Sequence, residues 1–134
     1  MKKIIDAFDY AGDICKAIKK GILLTTKGDD GANTMTIGWG TMGVEWGRPI
    51  FVAYVRESRY THELLERNGE FTVNVPIDSI DSKILSVCGT KSGRDLDKIG
   101  ALGLTLEEPL NISVPGIKEF PLTLECKILY RMEQ

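Results

Sequence analysis

Three glycines fall within six positions of a stretch that otherwise reads as a strand, Asn33-Thr34-Met35-Thr36-Ile37-Gly38-Trp39-Gly40-Thr41-Met42-Gly43. Thr34, Thr36 and Trp39 favour a pleated surface, whereas glycine inside a strand gives up side-chain packing and weakens it. Such glycines are ordinarily explained by a bulge or by another body lying close to the backbone. A flat aromatic ligand with polar edges is a body of that kind, so this stretch is the first candidate for a binding floor.

The spacing Gly38-x-Gly40-x-x-Gly43 also fits a dinucleotide-binding turn, but that turn needs a helix opening within the glycines so that its first amides hold the phosphate. Here the chain continues through Val44-Glu45-Trp46-Gly47-Arg48-Pro49, a turn-like segment, into a strand. The motif is therefore set aside. A chain of 134 residues with 43% hydrophobic content suffices for one domain with a real core. A formal charge of -2 argues against nucleic acid as a partner, and no apolar run of bilayer length argues against a membrane. The start, Met1-Lys2-Lys3-Ile4-Ile5-Asp6, lacks the apolar core and cleavage site of a secretion signal, so a cytoplasmic location is expected.

Cys15, Cys88 and Cys126 are odd in number and widely spaced, which points to buried reduced thiols rather than a disulfide framework or a zinc cluster. His62 is the sole histidine, and no Gly-x-Ser-x-Gly turn accompanies it. Neither a metal site nor a hydrolytic triad is expected, and His62 is assigned a surface or capping role.

Residues 9–20 read as a helix capped by Asp9, with Ala11, Ile14, Cys15 and Ile18 at helical spacing and Gly21 as its stop. Ile22 to Lys27 reads as a strand that reverses through Gly28-Asp29-Asp30-Gly31 into the strand beginning near Asn33. The nearly continuous apolar run of Ile50 to Arg56 predicts a central strand covered on both faces. Phe71 to Val75 alternates and predicts a half-buried strand ended by Pro76; a helix capped by Asp78 or Ser79 then runs through Ile84, Leu85, Val87 and Cys88 to a stop at Gly89. Phe120 to Tyr130 alternates like a barrel strand.

Two further segments carry chemistry. Arg56-Glu57-Ser58-Arg59-Tyr60-Thr61 runs from a strand end into a helix with Thr61 as its cap and Asn68-Gly69 as its end. Two arginines and two hydroxyls thus meet a helix N-terminus, where free amides and the helix dipole favour an anion such as phosphate. Solvated arginines beside a plain cap are the alternative, which these residues alone leave open. Downstream, Cys88-Gly89-Thr90-Lys91-Ser92-Gly93-Arg94-Asp95-Leu96-Asp97-Lys98 is a polar glycine loop opening a short helix. It lacks Walker spacing, yet Thr90, Ser92 and the amides near Gly93 can bond an oxygen-rich chain, with Arg94 or Lys98 adding charge.

Taken together with Phe71-Thr72-Val73-Asn74-Val75-Pro76, these segments resemble the flavin reductase-like family, the FMN-binding split barrels that include flavoredoxins. Order and spacing match over nearly the whole chain. The resemblance implies a mainly β fold with flanking helices, a Greek-key split β-barrel, normally a homodimer with FMN between barrel and partner. It implies a cofactor site in which the first segment, Asn33 and Met35 included and above all Thr36, Ile37, Gly38 and Trp39, lines the isoalloxazine ring. Arg56, Ser58, Arg59 and Thr61 then hold the phosphate, and Ser92, Gly93 and Arg94 meet the ribityl-phosphate tail. One flavin reductase-like domain over residues 1–134 is expected, open to lacking C-terminal elements, because family members commonly continue beyond the point where this chain stops.

The chemistry implied suits a chain poor in histidine and cysteine. Transfer from NADH or NADPH to a flavin needs stacked rings and tuned electronics but no protein nucleophile, so no catalytic side chain is expected. Electrons would pass to free flavin, an iron species or a redox protein. A non-catalytic FMN-binding electron carrier and a dimeric binding module are the alternatives.

Overall fold

The structure, a computed structural model, describes residues 2–78 and 80–133. A 3-10 turn, Ala7–Tyr10, leads into helix α1, Ala11–Lys20. Asp6 rather than Asp9 caps this start: its carboxylate accepts from the Phe8 N–H, and Asp9 falls inside the turn. Gly21, at φ 117, ends α1 as expected, its N–H donating to the carbonyls of Ala17 and Ile18.

Strands β1, Ile22–Gly28, and β2, Gly31–Ile37, form the expected hairpin, closed by the Gly28 and Gly31 pair around Asp29-Asp30. Gly31 takes φ 115, a conformation that glycine adopts without penalty. Strands β3, Gly40–Glu45, and β4, Arg48–Ala53, pair as a separate ribbon whose tight turn puts Trp46 at φ 54 and Gly47 at φ 74. Helix α2, Tyr60–Arg67, strand β5, Glu70–Val75, helix α3, Ser82–Thr90, and the short helix α4, Lys98–Ala101, follow. The two-residue strands β6, Leu106–Glu107, and β7, Gly116–Ile117, pair with each other before β8, Leu122–Lys127.

The main sheet is antiparallel in the order β2-β1-β5-β8. Strand β5, not the run from Ile50 to Arg56, is central and buried on both faces. Phe71, Val73 and Val75 enter the core, while Thr72 and Asn74 are buried opposite by hydrogen bonds. Asn74 donates to the hydroxyls of Thr25 and Thr72 and accepts from Ile117 N–H and the Thr123 hydroxyl. An alternating strand is thus fully covered because its polar face finds partners, which sequence periodicity does not reveal. Strand β4 stays half-exposed and among the described residues pairs only with β3, its Phe51 and Ala53 packing against the core.

The hydrophobic residues divide across the main sheet. Ile22 and Leu24 of β1 join Ile14 and Ile18 of α1 on one face, whereas Leu23 joins Cys88, Ile99 and Phe120 on the other, as a strand's two-residue period requires. Hydrogen bonding leaves three separate sheets among the described residues, a sheet-dominated fold with flanking helices. No helix among the described residues is long and apolar enough to cross a membrane.

Three helix ends differ from expectation. Arg59, without a side-chain cap bond, occupies the N-cap of α2, and Thr61 lies inside the first turn. Asn68 does end α2 as expected, at an extended φ of -124, its side chain accepting from Glu70 N–H and donating to the Lys27 carbonyl. Asp81, not Asp78, caps α3 by accepting from Lys83 N–H; the alternative cap, Ser79, is outside the described residues. Gly89 does not stop α3. A Cβ there would stand 3.3 Å from Thr36 Cβ, so glycine lets the helix approach β2.

Cys15 is exposed, contrary to the expected burial, whereas Cys88 is buried and Cys126 half-buried; all three are free. Burial pushes the Cys126 thiol up to about 12, with Glu125 acting the same way. His62 sits on α2 with its ring 3.7 Å from Glu66 one turn on.

Candidate functional site

A cleft of about 280 Å³ opens where β2, the junction into α2 and the loop after α3 meet. Asn33 and Met35 contribute from β2; Arg56, Ser58, Arg59, Tyr60 and Thr61 from the junction; and Thr90, Lys91, Ser92, Gly93 and Arg94 from the loop, with Lys98 behind them. Local chemistry builds each wall. Asn33 Nδ2 donates to Thr61 Oγ1 at 3.1 Å, tying β2 to the first turn of α2. Gly93 is pressed against both: a Cβ on it would overlap the Asn33 side chain and stand 2.6 Å from Tyr60 Cδ2.

The loop is latched at a second point. Arg94 Nη2 donates to Glu63 Oε1 at 2.6 Å, Nη1 donates to the Ser58 carbonyl at 3.3 Å, and the guanidinium lies 5.5 Å from the centre of the Tyr60 ring. Arg59 Nη1 donates to the Gly89 carbonyl at 3.1 Å, linking the α2 N-terminus to the end of α3. Lys98 Nζ donates to the carbonyls of Thr34, at 2.9 Å, and Cys88, at 3.1 Å.

Charge is distributed unevenly. Arg56, Arg59, Lys91, Arg94 and Lys98 line the cleft, and no carboxylate among the described residues does. Glu63 stands on the flank, where the hydrogen bond from Arg94 holds its carboxyl below the usual range. Burial pushes the Lys98 ammonium below its ordinary value; Cys88 opposes the shift and Arg59 adds to it. Arg56 and Lys91 enter no ion pair among the described residues. The cleft is therefore a concave, cationic site in a chain of net negative charge, with hydroxyls and helix amides at its rim, and suits an oxygen-rich anion.

The structure brings Asn33, Met35, Arg56, Ser58, Arg59, Thr61, Ser92, Gly93 and Arg94 to this cleft from three separate segments. Thr36, Ile37, Gly38 and Trp39 stand apart from its lining. Thr36 Oγ1 donates to the Leu85 carbonyl at 2.6 Å, Ile37 is in the core, Gly38 is exposed, and Trp39 is 67% exposed. Of the other glycines in that stretch, Gly40 is crowded by the Phe51 ring, whereas Gly43 has open space beside it. Tyr60 and Lys91 line the cleft without having stood out in the sequence; their only signal is that each adjoins a candidate residue.

This arrangement has relatives. An uncharacterized protein of Archaeoglobus fulgidus is 34% identical over 110 residues, covering 82% of this chain and 61% of its own. Among solved structures, flavoredoxin from Methanosarcina acetivorans superposes with a TM-score of 0.76 at 33% identity, covering 85% of this chain and 59% of its own. Flavoredoxin of Desulfovibrio vulgaris (Miyazaki F) gives 0.78 at 26% identity, covering 84% and 61%. The chain thus spans less than two thirds of the length of each of these relatives. A family profile described as flavin reductase like domain matches residues 18–134, from the last turn of α1 through the cleft and β8, and on that span the chain belongs to the flavin reductase-like domain family.

Proposed function

We propose that this protein is an FMN-dependent oxidoreductase whose cleft holds the phosphate end of the cofactor. The observation that carries the reading is the set of five cationic side chains, without a lining carboxylate among the described residues, around the start of α2 in a flavin reductase-like chain. At about 280 Å³ the cleft is smaller than the 300 Å³ or more common for sites enclosing a whole ligand, and it suits a phosphate and ribityl chain. Arg56 and Arg59 supply charge, Ser58 and Ser92 hydroxyls, and the Gly93 backbone a close approach. Thr61 holds Asn33 in place. The ring lies toward Gly38 and Trp39, which offer accessible surface, with Thr36 and Ile37 contributing backbone.

When bound, FMN supplies the redox chemistry between NADH or NADPH and an acceptor, which is free flavin, an iron species or a redox protein. The chain's task is to fix and orient it. In the same reading residues 1–134 form one domain, the three sheets belong to a Greek-key split barrel, and a homodimer covers the exposed Val44, Trp39 and Trp46 side chains. The likeness to two flavoredoxins favours a second reading, a carrier that binds FMN but exchanges electrons with a protein rather than a nicotinamide.

Absorbance spectra after incubation with FMN and desalting test both. Retained yellow colour that bleaches on anaerobic addition of NADH or NADPH supports the oxidoreductase. Retained colour that only a reduced redox protein bleaches supports the carrier, and a colourless folded protein removes both.

A further inference from the structure

Lys98 is 3% exposed and still reaches the cleft lining. Its ammonium has three donors, of which two go to the carbonyls of Thr34 on β2 and Cys88 on α3. No carboxylate pairs with it among the described residues. The titratable and charged groups around it are the Cys88 thiol from α3, Arg59 from the start of α2, and Arg56, Lys91 and Arg94 around the cleft. Every permanent charge in that set is positive. A buried cation without a counter-charge is costly, and an anion seated in the cleft is the partner it lacks.

We propose that Lys98 is a positioning residue that makes the cleft prefer phosphorylated over unphosphorylated flavin, joining β2 to α3 and setting a fixed charge behind the phosphate. The inference rests on the FMN reading above. Because burial already lowers the Lys98 pKa, raising the pH of the empty protein discharges this ammonium before an exposed lysine, and phosphate binding opposes that loss. The preference should therefore fade in alkaline solution.

Dissociation constants for FMN and riboflavin, measured between about pH 7 and 10, test this, since the shared ring cancels in their ratio. In the wild type the preference for FMN should fall by about tenfold or more across the alkaline limb. Lys98→Met should lower it about tenfold at neutral pH, leave riboflavin within about twofold, and remove the limb. Lys98→Arg, charged throughout, should keep the preference and lose the limb, and Lys16→Met, on the exposed side of α1 and outside the cleft lining, should keep the wild-type profile. An equal weakening of FMN and riboflavin in Lys98→Met would reduce Lys98 to a tether and overturn the proposal, as would an unchanged ratio. A wild type that retains neither flavin sinks the FMN reading together with it.

Discussion

The side-chain oxygen of Asn33 occupies the space that a Cβ on Gly93 would need, so strand β2 and the loop after α3 touch with no room for a larger residue. The same Asn33 side chain holds Thr61, so three segments of the cleft meet at one amide.

Gly93→Ala should therefore push the loop away from Asn33 and Tyr60. Overpacking of this kind costs about 1–3 kcal/mol, readable as a lower urea midpoint, and FMN retention should fall with it.

Arg56→Ala removes a cleft charge that holds no ion pair among the described residues, so the fold should keep its stability within about 0.5 kcal/mol. FMN binding should weaken by about tenfold or more, with riboflavin unaffected. Equilibrium dialysis of both flavins checks this; unchanged FMN retention would take Arg56 out of the site.

These two residues show what was legible in the sequence. Arg56, Ser58 and Arg59 stand beside a helix start that local pattern alone locates, and the glycines around Ser92 mark a tight loop. Gly21 and the Gly28 to Gly31 turn were readable for the same reason, since backbone conformation there is set by neighbours in the chain. Strand order was not. The apolar run in β4 and the alternating run in β5 exchange their expected places because Asn74 finds three partners on three other elements and a fourth on its own strand. Cap positions slipped for a smaller reason: Asp6 and Asp9 both precede α1, Asp78 and Asp81 both precede α3, and in each pair one carboxylate accepts from a free N–H, while α2 starts at Arg59 without a side-chain cap bond.

Asn74→Ala should be among the most damaging substitutions outside the cleft. It strands the buried Ile117 N–H and takes one partner each from the hydroxyls of Thr25, Thr72 and Thr123, which keep Thr34, the Pro115 carbonyl and Lys2, a loss of about 3 kcal/mol in chemical denaturation. The cleft cations remain in place, so any FMN binding by the folded fraction should persist.

Glu63 gives the loop an acid-sensitive latch. The hydrogen bond from Arg94 lowers its pKa, so its contribution is complete above the unfolded carboxylate value, near 4.5, and is lost as pH falls through the lower folded value. The protection of amides 91–97, taken relative to their intrinsic exchange rates, should fall across that acid range in the wild type. Glu63→Gln should show no such step.

Thiol chemistry should separate the cysteines. Cys15 is exposed, whereas burial raises the pKa of Cys88, against the opposing charge of Lys98, and pushes Cys126 up to about 12. One thiol should react promptly with a disulfide reagent at pH 8, three in denaturant, and Cys15→Ser should abolish the prompt phase.

The turn between β3 and β4 holds Trp46 at 89% exposure, and Trp39 stands at 67%. Both indoles of this chain already emit from water in the native state. Their fluorescence should barely red-shift when the chain unfolds, and should move to the blue when a second molecule settles over the ribbon. Intrinsic emission, the usual gauge of a protein's integrity, becomes here a gauge of its company.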